Sequence, residues 1–282
     1  MRRFLLSIAL LFFTSSAFAG EGEKSIQIKG SDTMVNLGQA WAEIYMEKYP
    51  DSFVAVTGGG SGTGFAALLS KTCDIAASSR KIKPKEVEQA EKNGVSPKEF
   101  SVALDGLAIV VSPENPVNQL TVDEVADIFT GKIRNWKEIG GDNLPIVILS
   151  REVNSGTHVY FKEHVLRKGD EARKDEFSDT ALLMSSSQAI ADEITQNKNA
   201  IGYYGMGYVN ETQKALAIAR DKNSPYVKPT IENTVNGFYY ISRPLFLYTN
   251  GEPAGLVKDF IDFTLSEKGQ EIVSQVDFVP LP

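Results

Sequence analysis

Three times along this chain, a short apolar strand pattern runs through a turn of glycine and small hydroxyl residues into a helical pattern. The three turns are Gly30 to Thr33, Thr57 to Gly64, and Ser150 to Thr157. A repeated succession of strand, turn and helix predicts an α/β fold. In open α/β sheets ligands bind at the carboxyl ends of the strands, and all three turns follow a strand directly.

The second turn places the strongest demands on the backbone. It contains five glycines, in the order Thr57-Gly58-Gly59-Gly60-Ser61-Gly62-Thr63-Gly64. Glycine permits positive φ and close approach to a ligand, and the helix that follows begins with unpaired N–H groups, which favours an anion. No Gly-Lys-Ser/Thr closes the turn, and Thr63 replaces the third glycine of a dinucleotide motif, so nucleotide binding is not indicated. A tight turn without a ligand remains the alternative.

Other polar residues stand where they could meet the same ligand. Ser79 and Arg80 follow a predicted strand over 74–77, and Arg151 stands in the third turn. Asp105 separates two apolar strand patterns, where an unpaired carboxylate is costly to bury. Each has a simpler explanation: Arg80 can be a solvated loop residue, and Asp105 can be a structural cap. Ser31 and Asp32 can likewise act only as helix N-caps.

The N-terminus has the pattern of a secretory signal. Two arginines precede the apolar run 4–13, and Ala17-Phe18-Ala19 fits a cleavage site, so the mature chain is predicted to begin near Gly20. The single cysteine, Cys73, lies well beyond that site, which predicts neither a lipid anchor nor a disulfide. We therefore expect an exported, periplasmic protein. Its formal net charge of −7 argues against binding to nucleic acid.

Two long apolar strand patterns bracket the middle third of the chain, at 107–111 and 236–248. They predict two lobes joined by two connecting strands. The predicted division is a signal peptide at 1–19, a discontinuous first lobe at 20–111 and 236–282, and a second lobe at 112–235. A closing amphipathic helix is predicted over 253–273, and its core face is Leu256, Phe260, Phe263 and Leu265.

The sequence gives little support for catalysis. His158 and His164 point in different directions from one helix, and no other ligand completes a metal site, so both are predicted to be surface or half-buried residues. Ser155 lacks the glycine-flanked elbow of serine hydrolases. Cys73 is predicted to be a buried apolar side chain. We therefore predict a protein that is not an enzyme and that needs no cofactor or metal.

With these pieces in place, almost the whole mature chain resembles the phosphate-binding proteins of ABC transporters, which have the type II periplasmic binding protein fold. The resemblance rests on a set of motifs in a fixed order. They are Gly30-Ser31-Asp32-Thr33, Gly58 to Gly64, Ala77-Ser78-Ser79-Arg80, Asp105-Gly106-Leu107, Ile128 to Trp136, Arg151 with Ser155-Gly156-Thr157, Ala200-Ile201-Gly202-Tyr203, and Ser242-Arg243-Pro244-Leu245.

The resemblance implies two α/β lobes, joined by two hinge strands, that close on a dehydrated phosphate in the cleft between them. It implies hydroxyl or N–H donors at Ser31, Thr33, Ser61, Ser79, Ser155, Gly156 and Thr157, with Arg151 supplying charge. In the best-known branch an acid stands where this chain has Ser79. This chain is closer to a branch of the family whose members have shorter chains. That resemblance implies that Arg80 reaches the anion and that Asp105 accepts a phosphate proton. Asp32 is the rival acceptor.

The expected function is therefore capture of inorganic phosphate by a monomeric receptor, which delivers it to the membrane permease subunits of an ABC transporter. One alternative keeps the fold and changes the anion to sulfate, molybdate or an organic phosphate. Another is a phosphate-sensing or adhesive role without transport. A carboxylate acceptor favours phosphate, because protonated phosphate can donate to it and sulfate cannot.

Overall fold

The structure is a computed structural model and describes residues 24–282. Its strands are β1 (Lys24–Gly30), β2 (Ser52–Thr57), β3 (Ile75–Ser78), β4 (Pro97–Val111), β5 (Gln119–Thr121), β6 (Val147–Arg151), β7 (Leu182–Met184), β8 (Ala200–Gly205), β9 (Lys214–Ala215), β10 (Ala217–Ala219) and β11 (Ser242–Asn250). Its helices are α1 (Val35–Lys48), α2 (Ser61–Leu69), α3 (Pro84–Lys92), α4 (Val122–Phe129), α5 (Gly156–Phe161), α6 (Ser187–Gln196), α7 (Ile231–Val235), α8 (Gly255–Leu265) and α9 (Glu267–Gln275). The alternation confirms the predicted α/β class.

The main sheet is mixed and has nine strands, eight along the path β2-β1-β3-β11-β4-β8-β6-β7 and β9 beside β4. Strand β1 is parallel to both β2 and β3, and β6 is parallel to β8 and β7. Two antiparallel strands, β4 and β11, stand between these parallel groups. The carboxyl ends of β1, β2 and β3 therefore point one way, as the predicted site requires.

Strand β4 belongs to both halves of the sheet. Its residues from Pro97 to Gly106 pair with β11, and those from Leu107 to Val111 pair with β8. We call the elements on the β3 side of this strand, together with α8 and α9, the first lobe, and those on the β8 side the second lobe. The lobe boundaries predicted at 111/112 and 235/236 fall at the ends of β4 and α7 and stay a prediction.

Apolar helix faces hold each lobe together. In the first lobe Leu37, Trp41 and Tyr45 of α1 are buried, and the Tyr45 ring meets Phe260 and Phe263 edge-on at 5.2 and 5.4 Å. In the second lobe a cluster of stacked and edge-on rings fills the space between helix and sheet. Its members are Phe129, Phe161, Phe177 and Tyr203. Such burial is the main stabilising contribution in a domain of this size.

Two of the predicted strands begin or end at residues that differ from the prediction. The segments 100–104 and 107–111 are one continuous strand, because Asp105 stays in the ladder opposite Arg243. The strand predicted from residue 236 begins only at Ser242. Before it, Gly237 has a φ of 67° and turns the chain, and the Tyr239 hydroxyl donates to the Leu107 carbonyl at 2.8 Å.

The predicted closing helix is in fact two helices. Ser266 is extended, with a ψ of 164°, and its hydroxyl caps α9 by accepting from the Gly269 N–H at 3.2 Å. This break turns Leu265 outward, so its assignment to the core face was wrong. Two other burial predictions were also wrong: Cys73 is only half-buried, and His158 is buried.

The predicted signal peptide lies outside residues 24–282. Within that described range, no helix combines the length and apolar character that crossing a bilayer would require.

Candidate functional site

The small hydroxyl residues predicted for the site are all buried, and each stands where a strand passes into a helix or loop. Ser31 and Thr33 follow β1, Ser61 opens α2, and Ser79 follows β3. From the second lobe, Ser155 and Thr157 lie at the start of α5. Their exposed fractions are between 0% and 3%. These positions follow from the strand, turn and helix units of the sequence, because such turns leave N–H groups unpaired at the helix start.

The hydroxyls form a group of three serines and a pair of threonines, which Arg243 links and which we together call the hydroxyl cluster (Ser31, Thr33, Ser61, Ser79 and Thr157). Ser31 Oγ donates to Ser79 Oγ at 3.0 Å, and the Ser79 N–H donates to Ser61 Oγ at 3.1 Å. Across the lobes, the hydroxyls of Thr33 and Thr157 lie 2.7 Å apart. The cluster therefore gathers donors from both lobes at one place.

The α5 helix start lies tightly against the first lobe. A Cβ added at Gly156 would lie 2.3 Å from Ser61 Oγ and 2.6 Å from Ser79 Oγ, so only glycine fits there. Two residues before Gly156, the Asn154 backbone carbonyl accepts from the Gly62 N–H at 3.0 Å. The Asn154 side-chain amide donates to the Gly59 carbonyl at 2.9 Å. Ser155 is the N-cap of α5, and its oxygen accepts from the N–H groups of Thr157 and His158.

Arg151 is almost fully buried and is held by the second lobe and by Asp32. Its NH1 lies 2.9 Å from Ser187 Oγ and 3.2 Å from Asp32 Oδ2, and its NH2 donates to the Ser185 carbonyl at 3.1 Å. The same Asp32 oxygen accepts from the Ser187 N–H at 2.7 Å. Within residues 24–282, the buried Arg151 Nε has no hydrogen-bond partner. Arg151 therefore keeps a donor for a ligand while Asp32 balances its charge.

Asp105 is fully buried and paired with Arg243, which the sequence analysis did not assign to the site. Arg243 approaches Asp105 Oδ2 through Nε at 3.1 Å and through NH2 at 2.9 Å. Its NH2 also donates to Thr157 Oγ1 at 2.9 Å, and its NH1 to the Ser79 carbonyl at 3.1 Å. Arg243 thus joins the carboxylate to the hydroxyl cluster. The available signal was a single arginine within an otherwise apolar strand pattern.

Burial raises the pKa of Asp105, and the charge and hydrogen bonds of Arg243 oppose that rise. The second oxygen, Oδ1, accepts from the Met206 N–H at 3.1 Å. Because a carboxylate oxygen can accept two hydrogen bonds, Oδ1 retains capacity for one more donor. Asp32 Oδ2 already accepts from two donors, so a ligand proton on Asp32 would have to go to Oδ1. Geometry therefore leaves Asp105 and Asp32 both available as acceptors.

Arg80 is directed away from the cluster. Its guanidinium pairs with Glu86 through two hydrogen bonds of 2.6 and 2.8 Å, and its NH1 donates to the Lys81 carbonyl at 2.9 Å. The guanidinium also lies 4.9 Å from the centre of the Phe65 ring. The predicted direct contact between Arg80 and the anion is therefore still a prediction, and Arg243 is the arginine that the structure brings to the cluster beside Arg151.

His158 contacts the backbone of the site residue Arg151. Its Nδ1 lies 2.8 Å from the Arg151 carbonyl, which can only accept, so Nδ1 carries the proton. Burial lowers the pKa of His158 to about 4, which leaves the ring neutral at pH 7.

Among the described residues, no group of three or more His, Cys, Asp and Glu side chains is placed to hold a metal ion.

The site has few uncompensated charges. Arg151 is paired with Asp32, Arg243 with Asp105, and Arg80 with Glu86. What remains is a set of hydroxyl and N–H donors at helix starts, together with one free Arg151 donor. Such an arrangement can hold a small oxyanion by directed hydrogen bonds, each charge-assisted bond contributing roughly 1.5–3 kcal/mol.

The chain matches known proteins along most of its length. A family model described as "PBP superfamily domain" matches residues 16–268. The phosphate-binding protein PstS of Pseudomonas aeruginosa is 34% identical over 270 residues, which cover 90% of this chain and 82% of that protein. PstS of Bacillus subtilis is 34% identical over 275 residues, covering 95% and 85%.

Solved structures give the same result. A phosphate ABC transporter substrate-binding protein from Clostridium perfringens, solved with bound phosphate, superposes with a TM-score of 0.81 at 34% identity, covering 92% of this chain and all (100%) of that one. An ABC-type phosphate transport receptor from Vibrio cholerae gives a TM-score of 0.70 at 30% identity, covering 91% and 100%.

Proposed function

The chain belongs to the PBP superfamily, within the phosphate-binding proteins of ABC transporters, and from that membership we propose how it works. It has the fold of type II periplasmic binding proteins, with two α/β lobes joined by β4 and β11. It captures inorganic phosphate in the cleft between the lobes and delivers it to the membrane permease subunits of an ABC importer. We further infer that it is a receptor without enzymatic activity and that it acts in the periplasm.

The observation that carries the proposed site is the meeting of donors from both lobes. Thr33 of the first lobe and Thr157 of the second lie 2.7 Å apart, with Ser31, Ser61 and Ser79 in the same cluster. Phosphate bound there would receive hydrogen bonds from both lobes at once and would therefore favour their closed arrangement. The proposed contacts are Ser31, Thr33, Ser61, Ser79, Arg151, Ser155, Gly156 and Thr157, with Arg243 as a new member.

Neutral donors suit this task because the arginines are already paired. A phosphate dianion would add negative charge to a site in which Asp32 and Asp105 balance Arg151 and Arg243. Its charge would be stabilised by hydroxyls, by the N–H groups at the starts of α2 and α5, and by their helix dipoles. Arg80, paired with Glu86, is proposed as a neighbouring group of the site.

The direct test is calorimetry on the mature chain after removal of endogenous ligand. We expect one phosphate to bind tightly at neutral pH, and sulfate to give no heat. The same preparation should not hydrolyse p-nitrophenyl phosphate, since no activated nucleophile or metal site is placed beside the cluster in the described residues. Tight sulfate binding, or binding of neither anion, would overturn the proposal.

Selectivity should depend on the acceptor carboxylate. We propose that Asp105 accepts a proton from bound phosphate, because its carboxylate joins the hydroxyl cluster through Arg243 and keeps capacity on Oδ1. In Asp105→Asn the repulsion between the carboxylate and sulfate is lost. The phosphate-over-sulfate affinity ratio is therefore expected to fall by about tenfold or more, as one charge-assisted bond implies.

Asp32→Asn is the matched comparison, because Asp32 is the rival acceptor and is also paired with an arginine. If Asp105 is the acceptor, Asp32→Asn should change the affinities for both anions by the same factor and leave their ratio unchanged. A change of ratio in Asp32→Asn alone, measured by the same calorimetric pair, would transfer the role to Asp32.

A further inference from the structure

A separate cavity of about 370 Å³ lies beside the hydroxyl cluster, at the boundary of the two lobes. Three segments line it: 79–84 from the first lobe, 159–164 from the second lobe, and 243–246 of β11. Ser79 and Arg243 are shared with the proposed phosphate site, and Arg80 is the neighbouring group of that site; the other lining residues are not among the proposed phosphate contacts. The volume falls within the range of small-molecule sites.

The walls of this cavity are largely apolar. They are formed by Ile82, Pro84, Val159, Pro244 and Phe246, with the Tyr160 ring among them. The Tyr160 hydroxyl donates to the Ser242 carbonyl at 2.6 Å, so this polar group already has a hydrogen-bond partner. Arg243 lies 5.3 Å from the centre of that ring. A ligand here would place an apolar body against these side chains.

Cationic side chains line the cavity, among them those of Arg80 and Lys83. Arg80 lines the cavity and is 8% exposed, and within residues 24–282 its Nε is buried without a hydrogen-bond partner. Glu86 accepts from NH1 and NH2, so Nε is the guanidinium nitrogen that has no partner among the described residues. Lys83 and His164 also line the cavity, and they come from opposite lobes. Lys83 forms no ion pair within the described part of the chain.

We propose that this cavity is a second ligand site, for a small organic monoanion with an apolar body. The anionic head would accept from Arg80 Nε and lie close to Lys83, and the apolar part would contact Ile82, Val159 and Phe246. A monoanion fits better than a dianion because Glu163 lines the same cavity and Glu86 already balances Arg80.

A ligand bound here would touch both lobes and the hinge strand. It would therefore stabilise the arrangement in which Thr33 and Thr157 are in contact, which is the arrangement that phosphate is proposed to favour. By linkage, phosphate should then strengthen binding at this second site, and the second ligand should strengthen phosphate binding by the same factor.

Benzoate is a suitable probe, because it is a monoanion with an apolar ring and cannot imitate phosphate. The mature chain is first saturated with phosphate, and benzoate binding is followed by saturation-transfer NMR and calorimetry. We expect one benzoate to bind in the presence of phosphate. Absence of binding at tens of millimolar benzoate, or displacement of benzoate by phosphate, would overturn the proposal.

Two variants locate the site. Ile82→Trp should fill the cavity and abolish benzoate binding, and Lys83→Gln should weaken it by about tenfold, the effect of one charge-assisted contact. Lys85→Gln is the control, since Lys85 lies two residues away and does not line the cavity. Phosphate affinity measured without benzoate should change less than about twofold in all three variants, so a failure here is distinguishable from a failure of the proposed receptor function. Unchanged benzoate affinity in both Ile82→Trp and Lys83→Gln would also reject the site.

Discussion

Replacing Arg243 by methionine is expected to lower the free energy of unfolding by about 3–5 kcal/mol at neutral pH. Asp105 is 0% exposed, and Arg243 is its only ion-pair partner in the described residues. Methionine fills a similar space but leaves the carboxylate buried without its counter-charge. Phosphate affinity should fall as well, because Arg243 also holds Thr157 Oγ1. Urea denaturation and phosphate calorimetry measure the two effects.

The pH dependence of the stability of Arg243→Met tests whether the unpaired Asp105 carboxylate causes the loss. Burial already raises the pKa of Asp105, and loss of Arg243 removes the group that opposes this rise. A carboxyl whose pKa is higher in the folded state binds protons more strongly there, so stability is retained below the unfolded pKa and is lost as pH rises toward the folded pKa. The Arg243→Met defect should therefore shrink in acid. The double variant Asp105→Asn/Arg243→Met should recover stability at pH 7, and an equally unstable double variant would contradict the charge argument.

Replacing Gly156 by alanine is expected to weaken phosphate binding by about 100-fold or more, equivalent to about 2.7 kcal/mol. The new Cβ would lie 2.3 Å from Ser61 Oγ and 2.6 Å from Ser79 Oγ, so these two hydroxyls or the start of α5 must move. That movement lengthens the hydrogen bonds made across the cleft. Stability should change little, because α5 keeps its Ser155 cap. Calorimetry with phosphate, paired with thermal unfolding, tests both statements.

Gly62→Ala provides a graded control at the same boundary. Its Cβ would lie 3.2 Å from the Asn154 carbonyl oxygen, a contact that a small shift relieves. We expect a loss of phosphate affinity below about tenfold, as expected for less than one lost charge-assisted bond. Equal losses in Gly156→Ala and Gly62→Ala would show that the close approach at Gly156 is not the cause.

Local patterns in the sequence were enough to predict most of the fold. The start of α4, for example, is a capping box within four consecutive residues, in which the Thr121 oxygen accepts from the Glu124 N–H at 3.2 Å. The errors came from interactions that a local pattern does not contain. Asp105 stays within β4 because its partner, Arg243, lies on β11. The break between two helices at Ser266 was missed because the helical spacing of apolar residues continues across it.

The candidate site shows the same contrast between local signals and contacts of distant residues. Ser31, Thr33, Ser61, Ser79, Ser155 and Thr157 could be predicted because each follows a strand and begins a helix or loop, which is a local signal. The partners of the arginines could not, since Arg151 meets Asp32 and Arg243 meets Asp105 from distant parts of the chain. The contact of Arg80 with Glu86, six residues later, was likewise not predicted, and the contact of Arg80 with the anion stays a prediction.

The placement of Asp105 on β4 has a mechanical consequence. This residue and Arg243 face each other where β4 changes partner from β11 to β8, so they lie on the strand pair about which the lobes would rotate. Points near an axis move least, and points far from it move most. Opening would therefore separate Asn154 from Gly59 and Gly62 at the rim by a long arc, while the Asp105–Arg243 pair stays assembled. Release of the anion by such a rotation would leave the Asp105–Arg243 pair intact, whereas the Arg151–Asp32 pair, which joins the two lobes, would have to separate.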